Sequence, residues 1–94
     1  MPTISDAIYS TLRGKGKTGA VNDMLLQWLQ DNGATSGNLA TAWREMLDTK
    51  VAAPTGNNQT DWHYLLGVQG HTGSISDRAV QFWVGGAVLP VSAV

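Results

Sequence analysis

An apolar residue, Asp or Thr two positions on, apolar residues at +4, +7 and +8, and then a closing glycine: this pattern recurs along the chain at intervals of 17, 18, 19 and 17 residues. It is clearest in residues 18–33, TGAVNDMLLQWLQDNG, where Val21, Leu25, Trp28 and Leu29 share one face of an α-helix. Asp23 stands in the first turn, where a carboxylate favours the unpaired N–H groups and the positive end of the helix dipole. Asn32-Gly33 has the composition of a left-handed C-cap. A helix of about three turns is not stable alone in water. Its stripe must be buried against the equivalent stripes of its neighbours.

The other units follow from the same register. Ile4, Asp6, Ile8, Thr11 and Leu12 form the first, opened by Thr3 and Asp6 as a capping-box-like Thr-x-x-Asp. Leu39, Thr41, Trp43, Met46 and Leu47 form the third, with Asn38 as N-cap and Lys50 at the negative pole. The fourth starts near Asn57, with Asn58 in the first apolar position and Trp62, Leu65 and Leu66 on the stripe. Ser74 and Asp77 open the fifth, which carries Ile75, Ala79, Phe82 and Trp83 and stops at Gly85-Gly86. Thr18-Gly19, Thr55-Gly56 and Thr72-Gly73 punctuate the units. The period is too short for a helix-pair repeat. The expected fold is all-α: an irregular bundle of five short helices in one domain, residues 1–86, with an extended apolar tail, residues 87–94.

The composition bounds function mainly by exclusion. The charged fraction is 14%, against about a quarter in ordinary soluble domains. A formal net charge of −1 supplies no field to draw nucleic acid or anionic lipid. The absence of cysteine removes disulfides and thiolate metal sites. MPTISDAIYS lacks the basic and apolar regions of a signal peptide, and no apolar run approaches the roughly 20 residues of a membrane span.

No motif points to catalysis. Gly16-Lys17-Thr18 matches the end of a phosphate-binding loop, but Thr11 stands where that loop needs glycine, and a helix pattern precedes it instead of a strand. His63 and His71 lack a convergent third ligand, so no metal and no cofactor is expected. Asp6, Asp23 and Asp77 hold helix-start positions. Asp31, Glu45, Asp48 and Asp61 are scattered and do not pair as acid and base. Trp28, Trp43, Trp62 and Trp83 all lie on stripes and are assigned to the core. Arg13, Lys15 and Lys17 are the one basic cluster, a candidate anion contact beside the simpler reading of a solvated helix end.

The stretches KTGAVNDMLLQWLQDNGATSGNLATAWREML and HTGSISDRAVQFW carry TG-x-[IV]-x-D followed by an apolar helix and glycine. This pattern resembles a small helical module of tailed-bacteriophage structural proteins. The resemblance implies a non-enzymatic virion protein, most simply a capsid decoration or head–tail accessory subunit. Its partners would be other virion proteins, with no small-molecule substrate, membrane or specific nucleic acid. A helical regulatory module that binds a partner helix is the alternative, and a sugar-binding accessory using exposed tryptophans is a third. The tail, AVLPVSAV, has no charge. Packing on its own bundle and docking on a neighbouring subunit would both hide it. On the docking reading, Val88, Leu89, Pro90 and Val91 are the partner-binding residues, with Gly85-Gly86 as hinge.

Overall fold

The computed structural model describes residues 3–89. The described residues form five α-helices and no strand: α1 (Ile4–Gly14), α2 (Val21–Asp31), α3 (Leu39–Lys50), α4 (Asn58–Val68) and α5 (Ile75–Val84). The all-α, five-helix expectation holds, in the expected register.

The helices start where the expected caps place them. The side-chain oxygens of Thr3, Asn38, Asn57 and Ser74 accept from the backbone N–H of Asp6, Thr41, Thr60 and Asp77 at 2.9–3.1 Å. Asp77 returns the bond by accepting from Ser74 N–H at 3.2 Å, which completes a capping box. Ala20 has no side-chain oxygen, so α2 keeps only the aspartate half, with Ala20 N–H donating to Asp23 at 3.3 Å. Gly73, at φ 99°, is required by this arrangement, because a Cβ there would sit 2.8 Å from Asp77 Oδ2.

Four helices end alike. Lys17, Ala34, His71 and Ala87 donate their N–H to the carbonyls of Leu12, Leu29, Leu66 and Phe82, and the preceding glycine donates three residues back. This is the Schellman pairing, and it needs glycine in the left-handed region. Helix α3 ends differently. Val51 is extended, donates only to Leu47, and leads into a connection, 51–57, that carries Pro54.

Each helix packs on its chain neighbours, and α5 returns to α1, so the five close into a ring. The body is flattened, 32 × 30 × 20 Å. At its centre five aromatic rings form a closed circuit. Trp43 meets Trp28 at 6.1 Å, Trp28 meets Trp83 at 4.8 Å, and Trp83 meets Phe82 at 5.2 Å. Phe82 meets Trp62 at 5.1 Å, and Trp62 returns to Trp43 at 5.0 Å. Most of these contacts are tilted or edge-to-face, the arrangements favoured by the ring quadrupoles. Helix α1 contributes no ring. In its place Thr11 donates its hydroxyl to the Trp83 carbonyl at 2.6 Å, across the seam between α1 and α5.

The buried face is wider than the expected stripe. The position after each Asp or Thr is buried in α1 to α4, as Ala7, Met24, Ala42 and Asp61. A helix with a neighbour on both sides buries a broader sector than one lying on a single surface. The first position, conversely, is only half-buried in every unit, as is Trp43.

The beginning of the tail also packs. Ala87 is buried, Leu89 lies partly buried against the core, and Gln69 Nε2 donates to the Val88 carbonyl at 2.6 Å. Residues 87–89 therefore pack on the bundle, past the boundary expected at residue 86. Gly86, at φ 104°, is the closing residue of α5 and acts as a cap where a hinge was expected.

Two outcomes follow for denaturant melts. Trp28→Ala should cost about 3–5 kcal/mol, and Trp43→Ala, half-exposed, about 1–2 kcal/mol. Equal losses would mean that the two rings are equally buried in solution. Deleting residues 87–94 should lower stability by roughly 1–3 kcal/mol through loss of the Ala87 and Leu89 contacts. An unchanged midpoint would show that those contacts contribute nothing.

Candidate functional site

One recess gathers side chains from all five helices. Ile4 and Ile8 of α1, Leu25 of α2, Trp43 of α3, Trp62 of α4, and Ile75, Ser76 and Ala79 of α5 line an open hollow of about 250 Å³, with Trp83 also lining it. In the repeat register every helix supplies its fifth position, and α1 and α5 add their first. Apart from Ser76 the lining side chains are apolar. The hollow is thus a product of the ring: one recess into which all five units project the same position.

Its lining carries no charge. No charged residue stands at the first, second or fifth position of any unit. The second position is exposed throughout, as Ser5, Asn22, Ala40, Gln59 and Ser76. Arg44 reaches this region where its Nη1 donates to Asn58 Oδ1 at 3.0 Å, and its charge is matched by Asp48 and Asp61, each at 2.7 Å.

The ionisable groups with the most developed surroundings hold loops. Asp61, 1% exposed, accepts from Thr55 N–H at 3.1 Å and from the Thr55 hydroxyl at 2.8 Å, besides Arg44. Burial opposes its charge, but the hydrogen bonds and charge of Arg44 and the bonds from Thr55 outweigh it, so the carboxyl is held below its ordinary value. Burial likewise opposes the Arg44 charge, and bonds to Asp48 and Asp61 outweigh it, so its value is raised. Glu45 is lowered by bonds from the Thr35 hydroxyl and the backbone of Ser36 and Thr35. Gln81 clamps Thr72 in both directions, and Gln27 holds the Thr18 carbonyl at 2.8 Å. The threonine of each punctuation is therefore fastened by a side chain of the helix that follows.

The basic residues meet different partners. Arg13 lies over the Tyr9 ring, 5.6 Å from its centroid. Lys17 pairs with Asp31. Lys15 is exposed and shares with Lys17, Asp31, Asn32 and the tail residues Ala87 to Leu89 a cavity of about 410 Å³. Val88 is 70% exposed and Leu89 half-buried. Pro90 and Val91 lie outside the described residues. His71 meets the edge of Phe82, and the His63 carbonyl accepts from Arg78 at 3.2 Å. Among the described residues no three His, Asp or Glu side chains gather as a metal site.

Stripe periodicity assigned Leu25, Trp43, Ile4 and Ile75 to the core, and the hollow was not foreseen. A signal was present: the first and fifth positions are mostly apolar while the exposed second position between them is never charged. Comparison with known proteins adds nothing to this geometry: no family model, curated protein or solved structure matches the chain.

The Asp61 site yields a pH dependence. A carboxyl lowered on folding contributes stability that is full above the unfolded-chain value, about 3.9, and is lost as pH falls through the lower folded value. Stability should therefore fall below about pH 4. Asp61→Asn should be less stable near neutrality by about 1–3 kcal/mol and should show a shallower acid-side fall, with Glu45 still contributing. Melts from about pH 2 to 7 check this, and parallel curves would remove Asp61 from the account.

Proposed function

We propose that this protein is a non-enzymatic structural subunit of a bacteriophage particle, a capsid decoration or head–tail accessory protein, that works by docking a neutral apolar face on protein. The observation that carries the docking reading is the hollow with its uncharged, almost wholly apolar lining. Interface cores are depleted of charge and rich in aromatic and aliphatic side chains, and Trp43, Leu25, Ile4 and Ile75 are only half-buried here. The structural duties of Asp23, Glu45, Asp61 and Asp77 as caps and loop anchors support a non-catalytic role. Lys17 engaged by Asp31 leaves little basic surface for nucleic acid. The particle setting rests on the repeat pattern and its resemblance to virion modules. A regulatory module receiving a partner helix would use the same hollow.

Mass spectrometry of purified particles from the phage that encodes the chain separates the two. A structural subunit should be present in fixed stoichiometry with the capsid or tail proteins. Particles that lack it, together with capture of a host protein by the isolated chain, would overturn the particle reading in favour of the regulatory one.

A further inference from the structure

Four helices close through a left-handed glycine, and the residue before that glycine is Lys15, Asn32, Gln69 or Gly85. The closure thus works with several side chains at that place. Only α2 uses asparagine there, and Asn32-Gly33 is the one Asn-Gly step in the chain. That dipeptide carries a chemistry of its own. Asparagine is a thermolabile residue, and a following glycine has no Cβ to shield its backbone nitrogen from the asparagine amide carbon. Gly33 is exposed, with nothing within 4 Å of where a Cβ would stand. Its φ of 103° is what the closure demands, so the fold requires the residue that makes Asn32 labile.

The other asparagines are placed differently. Asn22, Asn38, Asn57 and Asn58 precede Asp23, Leu39, Asn58 and Gln59, each with a side chain that crowds the nitrogen. Asn38 and Asn57 also use their carbonyl oxygens as N-caps.

In the folded chain both reacting groups at residue 32 are engaged. Asn32 Nδ2 donates to the Trp28 carbonyl at 2.8 Å, which turns the side chain back on its own helix. Gly33 N–H donates to the Gln30 carbonyl at 3.2 Å, and Ala34 N–H to the Leu29 carbonyl at 3.0 Å. Helix ends open more readily than the core. Half-buried Asn32 also faces a cavity of about 410 Å³ that it shares with Lys15, Lys17 and Asp31.

We propose that Asn32 is a self-modification site, latched by the α2 closure and converted irreversibly to an aspartyl or β-aspartyl residue when that closure opens. The Gly33 nitrogen loses its proton to solvent and bonds to Asn32 Cγ. The Cγ–Nδ2 bond breaks, and Nδ2 takes a proton from solvent and leaves as ammonia. A five-membered succinimide ring remains. Water then adds at one of the two ring carbonyls. Cleavage at Cγ restores the ordinary link with an aspartate, and cleavage at the backbone carbonyl carbon leaves the chain running through Cγ. One water is consumed, one ammonia is released, and nothing is oxidised or reduced.

Neither product restores the latch. A carboxylate has no N–H for the Trp28 carbonyl, and its charge stands at the negative end of α2. The β-link also lengthens the main chain by one carbon at the step where the closure turns. Ala34, 7% exposed, is anchored in the core just beyond that step. The inference stands apart from the particle reading, which requires nothing of Asn32.

Peptide mapping by mass spectrometry tests it on the full chain kept at mildly alkaline pH, either folded or unfolded in urea. The mass gain of an amide turned to an acid should appear first at Asn32, divided between two separable isomeric peptides. It should accumulate at least about tenfold more slowly in the folded chain. Converted protein, purified by its added negative charge, should unfold at a lower urea concentration than the starting material, as should Asn32→Asp. Equal rates in the folded and unfolded chain overturn the proposal. So does conversion elsewhere before Asn32, or a folded chain still intact after about a hundred half-times of the unfolded one. Converted protein with an unchanged urea midpoint would show that the closure survives, and overturns it as well.

Discussion

Helices of about three turns gain too little from their own hydrogen bonds to persist in water, and here it is ring closure that stabilises them. Every helix has a neighbour on each side because α5 comes back to α1. Closure is what lets Trp28, Trp43, Trp62, Phe82 and Trp83 join into one circuit, where an open row of helices would leave its end rings wet. The seam itself is made differently from the other contacts. Thr11 stands where α2, α3, α4 and α5 carry Trp28, Met46, Leu65 and Phe82, and its hydroxyl takes the Trp83 carbonyl. A large apolar residue there would add bulk at the junction where first and last helices meet, while a threonine joins them by a directed bond.

The repeat assigns similar tasks to equivalent positions in most units. Its third position reaches back to the N-cap backbone through Asp23 and Asp77. Its fourth fills the core in α1 to α4, its eighth in α2 to α5 and its ninth in all five. Its seventh fastens the preceding Thr through Gln27, Glu45 or Gln81. The fourth unit has Tyr64 at that seventh position, which cannot do so. Asp61, one turn earlier, takes Thr55 from inside the core, and burying its charge requires Arg44 from α3. One substitution at the surface thus brings a second into the core and a third onto the neighbouring helix. Buried pairs of this kind are costly to break because the remaining charge is stranded.

Helix number, register, N-caps and the glycine closures were legible in the sequence because each depends on residues within one helical turn. What was not legible depends on the ring. The fourth-position residues Ala7, Met24 and Ala42 are buried only because a second neighbour covers that flank. Trp43 and Leu25 are only half-buried because they line the open recess on which five fifth positions converge. Asp61 looked unpaired because Arg44 lies on another helix, 17 residues away. The tail showed no period, and only the packing of Ala87 and Leu89 reveals that its first residues belong to the bundle. Of the candidate site, the residues could be named as apolar, but their collection into a face could not.

The hollow is itself informative about what shaped the chain. The fifth position holds Ile8, Leu25, Trp43 and Trp62 in the first four units and Ala79 in the last. Ala79 is buried and lines the recess, and it is the smallest of the five fifth-position residues. Apolar recesses forgo dispersion contacts, and filling one ordinarily stabilises a small domain. The recess therefore marks a place where packing within the subunit is incomplete and another apolar surface can complete it. The same interior ring that makes the bundle stable also positions this gap on one face, so the core and the recess draw on the same repeat positions.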